Sequence, residues 1–259
     1  MTCLLGWENH ARTATLTASA AVAGLGASQL QNDHGATSTS WHTPAGTTSA
    51  WLLIDAGAAV AWRGFGVFNT NLTTAATTRW RLGNDPAFAT ALLDSFTLTS
   101  TVAAGFRQSL YLPASTVTAR YARLDLADPT NPEGALRIAQ LYAGHAVAPL
   151  RNFGFSSSFA RIAEAPTLVT RGGQEFPTLR YARRAWQLTL PALAQTEVWP
   201  LVQALQRTAE DGRNILFVPF PTGPDLAREA VLGRLVAPSA ISWPGPSLRA
   251  WSATITERL

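Results

Sequence analysis

Residues 119–128 alternate in character without a break, with Tyr121, Arg123 and Asp125 on one side and Ala122, Leu124 and Leu126 on the other. A period of two over such a run predicts a strand with one buried face. Ala-Trp-Leu-Leu-Ile-Asp-Ala-Gly at 50–57 predicts a second, more central strand. Further strands are predicted over 13–21, 62–69, 78–82, 106–112 and 136–143, with turn signals such as Asp85-Pro86 between them. Short strands with frequent turns argue for a β-sandwich in the first half.

The second half reads as α+β. A strand is predicted over 152–161, with Phe153, Phe155 and Ser157 on one face. Segments 167–170 and 176–190 predict a hairpin around Gly172-Gly173. One helix is predicted, with Thr196 as N-cap, Pro200 in its first turn and Gly212 as its stop. Val198, Leu201, Val202 and Leu205 form its apolar stripe. Strands follow over 214–221, 231–236 and 248–256. The expected fold class is therefore mainly β: a sandwich followed by an α+β unit, itself a β-sandwich or barrel with one flanking helix. Beyond Gly144 to Arg151 histidine disappears and arginine becomes denser. That shift divides the chain into units 1–146 and 147–259.

Several segments follow one another in the order of the discoidin family. They are the turn with Ala27, Ser28 and Leu30, then Trp41, then Trp-Leu-Leu-Ile-Asp-Ala-Gly at 51–57. The bend with Asn69 and Asn71, Arg79-x-Arg81-Leu82, and Ala-Arg-Tyr-Ala-Arg-Leu at 119–124 complete the order. Over about residues 5–145 the chain resembles a discoidin-like (galactose-binding-like) jelly roll. The resemblance implies a binding module whose ligand sits in the loops at one end. Here those loops hold His34, Trp41, His42, Asn69, Asn71 and Arg79, the candidate glycan-binding residues. Trp41 has an alternative role as a plug of the sandwich core. Arg79 and Arg81 share one strand face, which also suits a solvated edge or a subunit contact. The chain departs from the family's extracellular members in that Cys3 has no partner for a disulfide.

The run Gly-Arg-Asn-Ile-Leu-Phe-Val-Pro-Phe-Pro at 212–221, beside the predicted helix, resembles segments of bacteriophage distal-tail and tail-tip (hub-like) proteins. This second resemblance implies a structural component of a phage or phage-like tail tip or baseplate. The C-terminal unit would close into a homo-oligomeric ring against other tail proteins: tail tube, hub and tape-measure-associated components. Its place would be the virion tail, assembled in the bacterial host cytoplasm, with the sandwich as a peripheral module that meets a host surface glycan. Arg180, Tyr181, Arg183, Arg184 and Trp186 are the candidate subunit interface, since arginine and aromatics are enriched at interfaces. The rival reading is a free carbohydrate-binding, lectin-type module.

Composition sharpens these expectations. Hydrophobic residues make up 47% of the 259-residue chain and charged residues 14%, so a large core meets a sparsely charged surface. All 20 basic residues are arginine. Eight arginines and eight acids lie up to Leu150, against twelve and eight beyond it, so the net charge of +4 belongs to the second half. It is too dilute for a nucleic-acid footprint. No run approaches the roughly 18 apolar residues of a membrane span. Residues 14–27 are small and mildly apolar, but Ala, Thr and Ser dominate them, which argues against a signal peptide.

Reactive chemistry is sparse. His10, His34, His42 and His145 all precede Leu150, so no Ser-His-Asp triad can form in the second half. Asp33 and His34 are adjacent and point in different directions. Glu164 and Glu175 read as solvent-facing loop charges rather than a carboxylate pair across a cleft, and Asp33, Asp55 and Asp85 lack the spacing of a calcium loop. Gly24-Leu-Gly26 lacks the third glycine of a phosphate cradle. The expectation is a protein that is not an enzyme, with no cofactor and no metal.

Overall fold

Nineteen strands form among the residues described by the computed structural model, 2–99 and 101–258. The first half holds β1 (Leu4–Asn9), β2 (Thr15–Ala18), β3 (Trp41–His42), β4 (Ser49–Trp62), β5 (Gly64–Thr70), β6 (Thr77–Gly83), β7 (Leu93–Asp94), β8 (Leu98–Thr99), β9 (Gln108–Tyr111), β10 (Val117–Ala127) and β11 (Arg137–Val147). The second holds β12 (Ser158–Glu164), β13 (Thr167–Val169), β14 (Glu175–Pro177), β15 (Tyr181–Ala194), β16 (Ile215–Val218), β17 (Val231–Val236), β18 (Ser242–Gly245) and β19 (Leu248–Glu257).

The alternation at 119–128 is realised in β10, which lies between β4 and β6 in a sheet ordered β2-β4-β10-β6-β7. Its apolar side, Ala122, Leu124 and Leu126, is buried with Leu52, Ile54, Trp80 and Leu82 of its neighbours. Phe65, Val67, Ile138 and Leu141 of the opposed sheet close this core. Burying large apolar side chains in this way contributes about 1.5–3 kcal/mol each. Trp41 is fully buried here, and its indole Nε1–H donates to Ala20 O at 3.0 Å. Of its two roles, the core plug is the one observed.

The opposed sheet runs β12-β15-β19-β17-β16-β1-β11-β5-β9. Strand β1 sits between the two halves, with Leu5 opposite Val147 of β11 and Leu4 opposite Val218 of β16. One continuous sheet therefore runs through residues of both predicted units. No strand over 4–9 was expected from the sequence. Leu4, Leu5 and Gly6 are all buried, so the segment does not alternate. The backbones of β1 and β11 approach so closely that a Cβ at Gly144 would meet Glu8 O at 1.8 Å.

The sheet curls until its far strands touch. Arg184 on β15 donates from Nη2 to Gln108 Oε1 on β9 at 2.7 Å. Leu4, Phe68, Leu110, Tyr142, Leu216, Val218 and Leu232 fill the inside of the curl. A further core packs Leu188, Leu190, Trp251, Ala253 and Ile255 against Val198, Leu201, Val202 and Leu205 of a helical segment, 195–210. The apolar stripe of that segment is the predicted one. Its cap is not Thr196: Glu197 reaches back to accept from Ala194 N–H at 3.0 Å and from Leu150 N–H at 2.7 Å. The turn Val198–Gln203 is wide (π), around Pro200, which has no N–H to donate. Gly212, at φ +68°, ends the segment.

The expected strand over 152–161 begins only at Ser158, and Phe155 is fully exposed in the preceding turn. The fold is mainly β: a discoidin-like jelly roll whose second sheet curls and is extended by the second half, with a short helical segment against it.

Candidate functional site

The polar side of β4, β10 and β6 is as ordered as the buried side. Asp125 on β10 lies opposite Trp51 on β4 and opposite Arg79 on β6. One row along, Arg123 lies opposite Leu53 and Arg81. In the other direction Ala127 faces Ser49 and Thr77, and these small side chains leave a hollow of about 520 Å³. Trp51, Arg79, Arg81, Arg123 and Asp125 line it, with Thr97 at its rim.

The charged groups are held before any ligand arrives. Asp125 accepts from Arg81 Nη2 at 2.8 Å through Oδ2 and from Arg123 Nε at 2.9 Å through Oδ1. The Arg123 guanidinium also lies over the Trp51 ring, 4.8 Å from its centroid. Arg79 Nε–H donates to Asp94 Oδ1 at 2.9 Å, and its Nη2 binds Oδ2. That bond holds the Asp94 carboxyl below the usual carboxylate range despite the opposing effect of burial, and raises the Arg79 guanidinium. An indole ring, a carboxylate and three guanidinium forks thus surround one shallow space. Such a set can accept and donate to neighbouring hydroxyl groups together.

Of the six candidate glycan residues only Arg79 lines this hollow. Trp41 is core. His42 Nε2 bonds to Ser40 Oγ at 2.8 Å. Asn69, at φ +49°, ties to Gly35 O through Nδ2. Asn71 braces a loop, donating to Ala135 O and Glu133 Oε2 and accepting from Arg137 N–H at 2.8 Å. His34 is exposed at the junction of the two halves, where its Nδ1 meets Arg258 Nη2 at 3.1 Å. Trp51, Arg123 and Asp125 were not singled out as site residues. Arg123 and Asp125 belong to the polar half of the alternation, which the sequence alone assigns to solvent, and Trp51 lies in an apolar run that reads as a central strand.

Of the five candidate interface residues, Arg180 precedes β15 and the other four divide between its two faces. Arg180 and Tyr181 are exposed and Arg183 is half-buried. Arg184 and Trp186 are buried inside the chain. Arg184 is paired with Glu257, and the Trp186 indole Nε1–H donates to Glu229 O at 2.8 Å. Neither side chain is open to a partner.

Among the described residues no cluster of three or more His, Cys, Asp or Glu is placed to hold a metal, and no helix is long and apolar enough to cross a membrane. Cys3 is buried, and burial pushes its thiol up to about 12.

No protein-family model matches the sequence, and no curated protein matches it. Solved structures do. A chitosan-binding module of a chitosanase/glucanase from a Paenibacillus species is 20% identical, with a TM-score of 0.42 over 52% of this chain and 96% of the module. A fucose binding module of Streptococcus pneumoniae is 11% identical, with a TM-score of 0.40 over 53% of this chain and 98% of the module. A fucosidase of Ruminococcus gnavus, solved with fucose, is 16% identical, with a TM-score of 0.43 over 54% of this chain. The match spans about a quarter of that enzyme, 27% of its length.

These neighbours correct the second resemblance. They are sugar-binding modules and a glycosidase, where a tail-tip or hub protein was expected. The structural role in a phage tail or baseplate, the ring of copies, the tail-protein partners and the virion location all fall with it. The physical source of the misreading is plain. The run at 212–221 is a buried strand, β16, stopped by prolines and packed beside β1, and any sheet interior can produce that pattern.

Proposed function

We propose that the chain is a carbohydrate-binding module of the lectin type, which holds a neutral sugar in the hollow on β4, β10 and β6. The carrying observation is Asp125, set between Trp51 and Arg79 by register and fixed by Arg81 and Arg123. A pyranose presents a flat C–H face and adjacent hydroxyls. The face of the Trp51 ring that Arg123 leaves uncovered meets the first. The Asp125 carboxylate and the Arg79 fork meet the second.

The hollow is built from rigid strands, so little ordering accompanies binding. The reading involves no catalysis. A glycosidase needs one carboxyl kept protonated near neutral pH, and the Arg79 bond moves Asp94 in the opposite direction.

The test is a neutral glycan array probed with the full chain, followed by titration calorimetry on the best hit. Asp125→Asn and Trp51→Ala should each weaken binding about ten-fold or more, the equivalent of one charge-assisted hydrogen bond. Absence of any glycan hit, or binding that both variants leave intact, overturns the assignment to this hollow.

A further inference from the structure

A second hollow, of about 400 Å³, lies on the strands of the second half. Tyr181 and Arg183 of β15, Thr256 and Glu257 of β19, Arg234 and Val236 of β17, and Arg258 line it. Register explains the grouping. Thr256 is opposite Ala185 on one side and Arg234 on the other. Residues two apart share a face, so Arg183, Thr256, Arg258 and Arg234 all point the same way. Glu257 points to the opposite face, where Arg184 Nε holds its carboxylate at 3.0 Å.

This face therefore gathers three guanidinium groups, and the one acid at the hollow, Glu257, is already paired with Arg184. Among the described residues, none of the three lies within ion-pair distance of an acid. Arg183 Nε is shielded from water without a hydrogen-bond partner. Arg258 is held in place, donating from Nη1 to Gly212 O at 3.0 Å and meeting His34 Nδ1 through Nη2 at 3.1 Å, so Arg183 and Arg234 are the open forks. Like charges on neighbouring strands repel, and a buried donor left unpaired is unfavourable. Both penalties vanish when an oxyanion enters.

We infer that this hollow binds a phosphate- or sulfate-bearing small molecule of about monosaccharide size. The forks of Arg183 and Arg234 meet the anionic oxygens in pairs, and the hydroxyls of Thr256 and Tyr181 are neutral donors beside them. A volume of about 400 Å³ falls within the range of small-molecule sites and leaves room for more than a bare anion. The inference stands on different residues from the sugar hollow and does not depend on it.

The full chain is titrated calorimetrically at low ionic strength with inorganic phosphate, inorganic sulfate, glucose 6-phosphate, glucose 6-sulfate and glucose. The anions should bind saturably, and at least one ester more tightly than its inorganic ion; whichever ester is preferred identifies the source of the anion. The double variant Arg183→Gln/Arg234→Gln should lose about ten-fold or more in affinity. Arg249→Gln, on the same half but outside the hollow, should lose nothing. Thermal melting of the double variant, expected at or above that of the unaltered chain, separates lost binding from lost folding. No saturable anion binding, or equal affinity in a folded double variant, overturns the inference.

Discussion

The outer face of the sandwich and the open face of β15, β19 and β17 both present arginine from neighbouring strands, yet they do so in opposite ways. On the outer face of β4, β10 and β6 the arginines have aspartates: Arg79 with Asp94, Arg81 and Arg123 with Asp125, Arg120 with Asp55. On the second face Arg183 and Arg234 have none among the described residues, and the one well-paired arginine of β15, Arg184, is turned inward. The first arrangement is a stiff and nearly neutral wall, suited to an uncharged ligand. The second is a field of one sign, suited to an anion. The residue type is the same in both places, and its partner decides the chemistry.

Removing a partner is the sharpest way to break this contrast. Glu257→Ala would strand Arg184 inside the protein, where it also bonds Gln108 and Arg228 O. The expected loss is about 3–5 kcal/mol in urea unfolding. A loss under about 1 kcal/mol would show that the pair behaves like a surface salt bridge.

Acid titration separates the two faces next. Arg79 depresses Asp94 and Arg120 depresses Asp55 in the folded state. Their contribution is complete above the unfolded aspartate value of about 3.9 and fades as pH falls through the lower folded value. Melting temperature recorded from about pH 2 to pH 6 should therefore drop less steeply on the acid side in Asp94→Asn than in the unaltered chain. Parallel curves would mean that the pair does not couple to folding.

The smallest effect belongs to the unpaired face. Arg234→Gln should change stability by no more than about 0.5 kcal/mol, and toward the more stable side, because it relieves repulsion. Added salt should stabilise the unaltered chain more than this variant. A clear destabilisation in urea unfolding would reveal a partner for Arg234 that the described residues do not show.

Much of the architecture was legible in the order of residues. The alternation at 119–128, the stripe Val198–Leu201–Val202–Leu205 and the strand Trp251–Ala253–Ile255 each became the element expected, with the expected face buried. Strand β1 was not legible. Three buried residues in a row carry no period, and its partners lie far along the chain. The hollow was half legible. Alternation marks Arg79, Arg123 and Asp125 as the polar sides of their strands, while Trp51 sits in an apolar run that reads as a central strand, and a polar side becomes a site only through cross-strand register. No local pattern states that Asp125 will sit between Trp51 and Arg79. Trp41 shows the converse. Its Thr/Ser-rich surroundings imply water, and only tertiary packing turns it inward.

Strand β1 also imposes an order of events on the growing chain. Its two neighbours are β11, made much later, and β16, made later still. Until both have left the ribosome, β1 has at least one bare edge, and the seam between the halves stays open. Loop closure over such spans is slow, and exposed edges invite mispairing. A nascent chain halted before Val218 would thus carry a finished sandwich with an unsatisfied margin, open to mispairing until β16 arrives.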